Sequence, residues 1–332
     1  MASALGELVA DASCVMVMGH SSADMDAVGA AVGVCALARK KGVPAYIVRE
    51  ANPTPADDLY SRLSEHELYR DRFVGSQEAL FRADANTLLV VVDTNRPELV
   101  VSQELLYSCN KVAVIDHHRR ATSYIEGAAL NFHETSASSA SELVTELLGY
   151  IMDSKELQRV EAEALLAGIM LDTKNFTLRT GGRTFESAAF LRRAGGDTAE
   201  VKKLFQNDLD DTVAKYGIIQ NARTVHGNVA VASSEKDVGR VIAAQAADEL
   251  LNIAGIFTSF VLYQSENTVY ISARSSNDTN VQVILETLGG GGNPAGAGAQ
   301  LSDTTLEEAD TRLMAALDDY FGVNTEETTD EV

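Results

Sequence analysis

The chain has 332 residues, of which 45% are hydrophobic, and its formal net charge is −21. This length is enough for two domains of ordinary size with buried cores. The negative charge disfavours a long nucleic acid as a nonspecific partner, because proteins that bind one carry a basic surface. No apolar run reaches the roughly 20 residues that a membrane-spanning helix needs, and residues 1–19 lack the basic start of a secretion signal. We therefore expect a cytoplasmic protein without a membrane segment.

The three cysteines indicate neither a disulfide framework nor a thiolate metal site. Cys14, Cys35 and Cys109 are odd in number and have no CxxC spacing. Isolated cysteines of this kind in a cytoplasmic protein are usually buried thiols. We expect all three to be free and buried.

Short apolar runs alternate with helical patterns in the first half of the chain. The runs have the length and continuous hydrophobicity of parallel strands that are buried on both faces. Small residues from Ala27 to Val34 favour a helix packed closely on the sheet, and Gly42 is typical of a helix end. A polar helical stretch follows at 57–67, and the alternation predicts a doubly wound domain. The expected strands are residues 15–18, 46–48, 88–92 and 112–115.

The later part of the chain has a different pattern. Apolar and polar residues alternate there, as in half-buried strands of a mixed sheet. Thr304 and Glu307 have the spacing of a capping box that opens the last amphipathic helix. We expect strands at 229–232, 257–264 and 268–274, helices at 138–148, 156–171, 241–251 and 282–288, and a charged helical stretch at 195–217.

These patterns predict an α/β protein with two domains. The first contains a doubly wound, mainly parallel sheet, and the second is a smaller α/β domain with a mixed sheet. We place the domains at 1–205 and 223–322, joined by a helical linker at 206–222 and followed by an acidic, disordered tail at 323–332.

Acidic and imidazole side chains directly follow three of the apolar runs. His20 follows the first run, Asp93 the third, and Asp116-His117-His118 the fourth. Open α/β sheets bind ligands at the carboxyl ends of their strands, so these side chains should face one crevice. Further aspartates lie at predicted helix ends nearby. The candidate metal ligands are therefore His20, Asp24, Asp26, Asp93, His117 and Asp172.

This donor set has the chemistry of a site for two metal ions. Carboxylates and imidazoles favour Mn²⁺, Mg²⁺, Zn²⁺ or Fe²⁺ over metals that prefer thiolates. Six donors are too many for one catalytic zinc, but they suffice for two ions if one carboxylate bridges them. Two ions about 3.5–4 Å apart can stabilise both changing oxygens of a phosphoryl transfer. The pattern therefore predicts a metallohydrolase.

Other polar features have ordinary structural explanations. A single aspartate after a strand is most often a turn residue or a helix cap. His66, His133 and His226 lack any partner spacing, and we expect them at the surface. The glycines at 289–292 are either a flexible turn or a loop whose backbone N–H groups approach a phosphate.

The motifs resemble those of the DHH/DHHA1 phosphoesterase family, and the resemblance covers nearly the whole chain. Asp116-His117-His118 is the motif that gives the family its name, and His20-x-x-x-Asp24-x-Asp26 is similar to its first motif. Within the family, the stretches 171–181 and 272–275 are similar to the catalytic region of GdpP-type cyclic-di-AMP phosphodiesterases.

The resemblance implies hydrolysis of cyclic di-AMP to linear 5′-pApA by a hydroxide that two Mn²⁺ ions activate, with Mg²⁺, Fe²⁺ or Co²⁺ as substitutes. It implies that His20 and Asp24 hold one ion, that Asp26 and His117 hold the other, and that Asp93 bridges them. Asp172 would complete the set. The implied catalytic residues are Asp93 and His118, the latter as a group that contacts phosphate or orients a ligand.

The resemblance also assigns nucleotide binding to the second domain. Several basic residues of the first domain are either partners of phosphate or ordinary surface charges. The implied substrate-binding residues are Arg274, Ser275, Asn280, Gly290, Gly291, Gly292 and Asn293, and the basic residues are Arg119, Arg120, Lys174, Arg179 and Arg183.

Two features depart from the family pattern. Members of this type commonly have histidine after the four glycines, whereas this chain has Asn293. Full-length relatives also carry membrane-spanning and sensory regions before the catalytic part, so we expect this chain to be a fragment of a protein tethered to the inner face of a bacterial membrane. A homodimer is compatible with the sequence.

Three alternatives remain at this point. An oligoribonuclease and pAp phosphatase of the same superfamily, acting on pApA or short RNA, would have nearly the same metal site, but the stretches 172–181 and 272–275 favour the cyclic dinucleotide. A non-catalytic sensor would lack at least one of the six metal ligands. A family II pyrophosphatase is disfavoured by the glycine-rich second domain.

Overall fold

The computed structural model describes residues 1–206 and 208–322 and divides into two compact units, Met1–Gln206 and Asn207–Val332. Within these described ranges, no helix is both long and apolar enough to cross a membrane. The acidic tail expected at 323–332 lies outside the described residues. The three cysteines are free and buried, as expected.

A parallel sheet of six strands forms the centre of the first unit. Its strands are β1 (Val15–Met18), β2 (Ala45–Val48), β3 (Phe73–Val74), β4 (Leu88–Val92), β5 (Lys111–Asp116) and β6 (Leu130–His133). The spatial order is β3-β2-β1-β4-β5-β6, and every neighbouring pair is parallel. The first three strands are added in one direction across the sheet, and the last three are added in the other direction, starting beside β1. This switch between β1 and β4 opens a crevice at the carboxyl ends of these two strands.

Helices cover both faces of this sheet. They are α1 (Ala2–Ala10), α2 (Met25–Lys41), α3 (Asp57–Glu65), α4 (Ser76–Arg82), α5 (Gln103–Ser108), α6 (Ala140–Ile151), α7 (Arg159–Asp172), α8 (Gly182–Arg193) and α9 (Thr198–Lys203), with a 3₁₀ turn at Ser154–Glu156. α2, α6 and α7 pack together over one face, and α4 and α5 cover part of the other. Because both faces are covered, the strands can be apolar throughout.

Glycines let α2 and α7 approach very closely. A Cβ atom on Gly29 of α2 would lie 2.4 Å from the carbonyl oxygen of Ala164 in α7. A Cβ atom on Gly168 of α7 would lie 2.7 Å from Oδ1 of Asp26 in α2. The small residues expected to favour close packing on the sheet therefore serve mainly to pack one helix on another.

The second unit contains a mixed sheet, as predicted. Its elements are α10 (Leu209–Gln220), β7 (Arg223–Val225), β8 (Val229–Ser234), α11 (Gly239–Leu250), β9 (Thr258–Ser265), β10 (Thr268–Ser275), α12 (Val281–Glu286), β11 (Gly291–Asn293), β12 (Gly296–Ser302) and α13 (Leu306–Phe321). The order is β11-β12-β10-β9-β8-β7, and only β8 and β9 are parallel among the described pairs. α12 and α13 cover one face, while α10 and α11 cover the other.

Two local predictions in the second unit are wrong. The capping box of α13 is formed by Thr305 and Glu308, one residue later than the expected pair Thr304 and Glu307. The glycine run is not a free loop, because residues 291–293 pair with β12 as a short edge strand. Glycine and alanine lack the branched side chains that mark a strand in sequence, which explains why β11 and β12 were missed.

Candidate metal centre

The six predicted metal ligands lie around the crevice between β1 and β4. His20 follows β1, Asp93 follows β4, and His117 follows β5, while Asp24 and Asp26 lie at the start of α2 and Asp172 is the last residue of α7. Parallel strands all end at the same edge of the sheet, so residues that directly follow neighbouring strands lie close together. We call these six residues the donor cluster.

Asp93 lies at the centre of the donor cluster. Its Oδ1 atom is 3.3 Å from Nε2 of His117, and its Oδ2 atom is 3.5 Å from Nε2 of His20. Its backbone has a positive φ of 59°, while its N–H still donates to the carbonyl of Ile115. Aspartate tolerates this left-handed conformation better than most residues. The turn directs the carboxylate between two imidazoles that come from different strands.

All six donors belong to groups of three whose ligand atoms lie within 4.8 Å of one another. Two of these groups are His20, Asp24 and Asp93, and Asp26, His117 and Asp172, while a third joins Asp93 and His117 to His118. The two groups are adjacent, because His117 is also close to Asp93. Which ion each of these residues would hold stays a prediction.

Asp26 is held rigidly at the start of α6. Its two carboxylate oxygens accept hydrogen bonds from the backbone N–H groups of Ala140 and Ser141, at 2.7 and 2.8 Å. Ser139 caps the same helix by accepting from the N–H of Glu142. The unpaired N–H groups at a helix start favour a negative charge. Asp26 is therefore positioned before any ion binds.

Asp24 has a structural role as well as a place in the donor cluster. It is the N-cap of α2, and its Oδ1 atom accepts from the N–H groups of Asp26 and Ala27 at 2.9 and 3.1 Å. A cap of this kind is the ordinary explanation for an aspartate after a strand. Here it also fixes the orientation in which the second carboxylate oxygen can coordinate an ion.

The electrostatics of the cluster favour a bound cation. Burial and the neighbouring carboxylate of Asp93 raise the pKa of both Asp24 and Asp26. Burial and the nearby Asp26 raise the pKa of Asp172. Burial alone would also raise the pKa of Asp93, but the imidazoles of His117 and His20 lower it to about 2. Carboxylates that repel one another in a buried site are stabilised together when divalent ions offset their charge.

Unsatisfied buried atoms give an independent test of whether the residues fit a metal. Within the described part of the chain, Oδ1 of Asp93 and Nε2 of His117 are buried and have no hydrogen-bond partner. Buried polar groups of this kind are normally paired, since leaving them unpaired costs free energy. An imidazole nitrogen and a carboxylate oxygen facing each other without a bond are suitable ligands for an ion. The donor set therefore fits a hard or borderline divalent metal.

A second layer of polar residues orients His118. Its Nδ1 atom is 2.9 Å from Oδ1 of the fully buried Asp116, and its backbone N–H donates to the same oxygen at 3.2 Å. The amide of Asn95 donates to the other oxygen of Asp116. The hydrogen bond to Asp116 raises the pKa of His118 to about 9. The side chain of His118 is about half exposed.

Sequence reasoning missed the supporting residues Asp116, Asn95 and His133. Asp116 belongs to the motif that was noticed, but its role as an acceptor was not foreseen. The surface position expected for His133 is wrong, because its side chain is only 14% exposed and its Nε2 atom bonds the carbonyl oxygen of His118. β6 is the edge strand that pairs Asp116 with His133, which places this imidazole beside the site.

The basic residues named as phosphate partners separate into different environments. Arg183 is paired with Glu146, and Arg120 packs its guanidinium over the ring of Tyr124. Arg119 and Arg179 line a cavity of about 1010 Å³ that also contains His117 and His118. Arg119 and Arg179 thus lie where a phosphate near the donor cluster could meet them.

The predicted substrate-binding residues of the second unit lie at one end of its sheet. Arg274 and Ser275 end β10, and the backbone N–H of Ser275 donates to the carbonyl of Ala295 in the β11–β12 turn. Asn280 caps α12, whose first N–H donates to the carbonyl of Pro294. The glycines precede this turn on β11. The structure therefore brings the residues of this set together.

Most of these side chains already have partners within the unit. Nη1 of Arg274 donates to the carbonyl of Ala273 at 2.9 Å, and Oγ of Ser275 donates to Oδ1 of Asn277 at 2.9 Å. Oδ1 of Asn293 accepts from the N–H groups of Ala295 and Gly296, both at 3.0 Å. Their roles in binding nucleotide stay predictions.

Comparison with known proteins gives matches along most of the chain. It is 44% identical over 323 residues to the cyclic-di-AMP phosphodiesterase GdpP of Geobacillus thermodenitrificans, covering 96% of this chain and 49% of that protein. It is 41% identical over 323 residues to the cyclic-di-AMP phosphodiesterase PdeA of Listeria monocytogenes, again covering 96% of this chain and 49% of that protein. The chain thus spans about half the length of these relatives.

A solved structure shares the whole fold. The crystal structure of an exopolyphosphatase-related protein from Bacteroides fragilis aligns with a TM-score of 0.79 and 18% identity, covering 97% of this chain and 96% of that one. At this identity the likeness supports the fold alone. Two family profiles also match, "DHH family, N-terminal domain" at residues 14–169 and "DHHA1 domain" at residues 226–322. The chain therefore belongs to the DHH/DHHA1 family.

Proposed function

We propose that this chain is a metal-dependent phosphodiesterase that hydrolyses cyclic di-AMP to linear 5′-pApA. The observation that carries the proposal is the pair of adjacent donor groups, one around His20, Asp24 and Asp93 and the other around Asp26, His117 and Asp172. Relatives that are 41–44% identical are named for this activity. The proposal extends their activity to this chain.

Two Mn²⁺ ions are the proposed cofactors, with Mg²⁺, Fe²⁺ or Co²⁺ as substitutes. His20 and Asp24 would hold one ion, Asp26, His117 and Asp172 the other, and Asp93 both. When bound, the ions supply Lewis-acid charge that stabilises the developing negative charge at phosphorus and makes water acidic enough to attack near neutral pH.

The chain's own residues prepare the substrate. Asp116 bonds the Nδ1 side of the His118 ring, so the Nε2 atom could donate a hydrogen bond to a phosphate oxygen in the cavity that His118 lines. Arg119 and Arg179 line the same cavity and add positive charge where the second phosphate of a dinucleotide would lie.

The second unit is the proposed nucleotide-binding unit. Arg274 lies at the end of β10, and its guanidinium has donors beyond the one used on Ala273. The exposed edge strand of glycines presents backbone without side chains, which suits close approach of a sugar or phosphate. We assign Arg274, Ser275, Asn280, Asn293 and the glycines 290–292 to nucleotide binding.

Product analysis tests the proposed function directly. The purified chain is incubated with Mn²⁺ and, in separate reactions, with cyclic di-AMP, cyclic di-GMP, pApA or pAp, and the products are resolved chromatographically. Rapid conversion of cyclic di-AMP to pApA supports the proposal. Faster turnover of pApA or pAp than of cyclic di-AMP would instead identify an oligoribonuclease and pAp phosphatase. Binding of cyclic di-AMP without any turnover would identify a sensor.

A further inference from the structure

A large cavity adjoins the donor cluster within the first unit. Its volume is about 1010 Å³, and His117 lines both the cavity and the metal centre. The opposite part of its wall comes from the segment after α7 and from the first turn of α8, including Phe176, Thr177 and Phe185. The metal chemistry described above makes no use of these residues.

The wall contains a pair of stacked aromatic rings. The centroids of Phe176 and Phe185 are 5.7 Å apart, and the ring planes differ by only 18°. Phe176 packs against the hydrophobic core, whereas Phe185 is 56% exposed. One ring is thus anchored in the protein, and the other presents apolar surface to solvent beside a polar site. A large apolar side chain exposed in a cavity indicates a ligand surface more strongly than a scattered surface residue does.

The backbone that positions Phe176 is unusual. Lys174, Asn175 and Phe176 have consecutive positive φ angles of 46°, 57° and 62°. Residues other than glycine visit this region mostly singly, and for a bulky residue such as phenylalanine it is an outlier. Strained residues persist where the surrounding structure holds them, and they are enriched at functional sites.

Hydrogen bonds hold this left-handed segment against the end of α7. The N–H of Asn175 donates to the carbonyl of Met170 at 2.9 Å, and the N–H of Phe176 donates to Oγ1 of Thr173 at 2.9 Å. Thr173 is itself fully buried. The chain therefore turns immediately after Asp172, which brings an aromatic ring close to the residue that ends the donor cluster. The turn couples the position of Phe176 to that of a metal ligand.

The charge of the cavity favours an anion next to the rings. Arg119 and Arg179 line it, and no aspartate or glutamate is among the described residues that do. The permanently charged side chains that line the cavity are therefore positive, although the whole chain has a net charge of −21. A ligand that suits this wall has a negative group near the donor cluster and a flat apolar part near Phe185.

We propose that Phe176 and Phe185 form a platform on which a nucleobase stacks, the base belonging to the nucleotide whose phosphate lies at the metal centre. This inference rests on the proposed function and adds to it the base-binding surface of the first unit. Phe185 supplies the more exposed ring, and the partly buried Phe176 stacks against it. Stacking accepts any base in principle, so the platform confers affinity for nucleotides over other phosphate esters.

The test compares two ligands that differ only in the base. AMP and ribose 5-phosphate are each titrated by calorimetry into the Mn²⁺-loaded full chain and into the variants Phe185→Ala, Phe185→Leu and Phe185→Tyr. Stacking on one aromatic ring should make AMP bind about tenfold more tightly than ribose 5-phosphate. Phe185→Ala and Phe185→Leu should abolish this preference, and Phe185→Tyr should retain it. Mn²⁺ affinity should be unchanged in all three variants.

Phe81→Ala is the matched control. Phe81 is 90% exposed on α4 and is not among the residues that line the cavity. The preference for AMP should be the same in Phe81→Ala as in the unaltered chain. Loss of the preference in Phe81→Ala as well would overturn the platform, because the effect would then not be specific to the cavity.

The remaining outcomes separate this inference from the proposed function. Equal binding of AMP and ribose 5-phosphate by the unaltered chain would overturn the platform, whether or not cyclic di-AMP is hydrolysed. An undiminished preference in Phe185→Ala would place the base elsewhere and would also overturn it. A preference lost in Phe185→Ala, in a chain that does not hydrolyse cyclic di-AMP, would support the platform while refuting the proposed substrate.

Discussion

The two units bring polar side chains together in opposite ways. In the first unit the donor cluster is largely buried, and atoms of Asp93 and His117 lack hydrogen-bond partners. In the second unit the corresponding residues lie near solvent, and Asn280 and Asn293 already satisfy backbone N–H groups of their own turns. The first arrangement leaves buried donor atoms that fit a cation, whereas the second uses its side chains in hydrogen bonds of its own turns. We therefore expect changes in the first unit to abolish chemistry and changes in the second to tune affinity.

The largest effect should come from Asp93. Asp93→Asn keeps a residue that tolerates the positive φ of 59°, while it removes the negative charge that lies between His20 and His117. We expect the rate of cyclic di-AMP hydrolysis at saturating Mn²⁺ to fall by at least about 10³, from the loss of several kcal/mol of metal-assisted charge stabilisation. Asp93→Ala should lower the rate by a similar factor and should also lower the stability of the fold, because alanine tolerates a positive φ less well than asparagine does.

The control for Asp93 is an exposed carboxylate at a helix start. Asp58→Asn changes the first turn of α3 and should leave the rate within twofold of the unaltered chain, a limit of about 0.4 kcal/mol. If Asp93→Asn retained a tenth of the original turnover with its fold intact, the assignment of Asp93 as the shared ligand would be wrong.

The second unit should respond through binding. Arg274→Ala removes a guanidinium that donates to the carbonyl of Ala273 at 2.9 Å and lies 3.5 Å from Oγ of Ser272 and from a carboxylate oxygen of Asp248. Loss of a charged hydrogen bond to nucleotide should cost about 1.5–3 kcal/mol, or roughly 10-fold to 150-fold in affinity. Calorimetry should show weaker nucleotide binding and unchanged Mn²⁺ binding. The nucleotide affinity of Arg274→Lys should lie between those of the unaltered chain and Arg274→Ala. Lost Mn²⁺ affinity with normal nucleotide affinity would contradict the division of roles.

Helix packing in the first unit gives a third and smaller effect. A Cβ atom on Gly168 would lie 2.2 Å from Oγ of Ser141 and 2.7 Å from Oδ1 of Asp26. Gly168→Ala should therefore force α7 away from α2 and cost about 1–3 kcal/mol of unfolding free energy. Because Asp26 must move as well, Mn²⁺ affinity should fall with Tm.

Gly217→Ala is the matched control for Gly168→Ala. A Cβ atom on Gly217 in α10 meets nothing within 4 Å among the residues described. Alanine favours the helix over glycine by up to about 1 kcal/mol, so this variant should be as stable as the original or slightly more so. An equal loss of Tm in both variants would show that the close approach of α2 and α7 is not the cause of the lost stability in Gly168→Ala.

The sequence predicts the local features of the first unit but not its contacts between distant residues. Apolar runs and the residues that end them are local features, so β1, β4 and the positions of His20 and Asp93 could be predicted from the chain alone. The contact of Gly168 with Asp26 joins residues far apart in sequence, and no spacing reveals it. The same is true of Asp116, whose acceptor role depends on Asn95 and on the neighbouring edge strand.

The second unit was harder to predict for a different reason. β11 and β12 are built largely of glycine and alanine, which carry no strand signal, and the pairing of Gly291 with Gly298 depends on the whole sheet. The run of positive φ angles after Asp172 was also beyond sequence reasoning. Phenylalanine gives no indication of a left-handed backbone, so the platform of Phe176 and Phe185 could be found only in the structure.

The smallest expected effect concerns Asn293, where family members of this type commonly have histidine. Its Oδ1 atom holds the β11–β12 turn by accepting two backbone N–H groups at 3.0 Å, while its amide nitrogen is still able to donate to a ligand. A neutral histidine could accept one of these two exposed bonds through a ring nitrogen, whereas a histidine protonated beside phosphate accepts neither and donates to the phosphate instead. A charged donor exceeds a neutral one by about 1 kcal/mol, which corresponds to roughly fivefold in kcat/KM.

Asn293→His should therefore raise kcat/KM for cyclic di-AMP by about two- to fivefold, because the bond to phosphate becomes charged, and lower Tm slightly, because the exposed turn bonds are lost. Mn²⁺ dependence should not change, since Asn293 belongs to the second unit. Asn293→Ala, which loses both the turn bonds and the donor, should lower kcat/KM and Tm together. An unchanged or lower kcat/KM in Asn293→His, with the fold intact, would mean that this asparagine serves the turn alone.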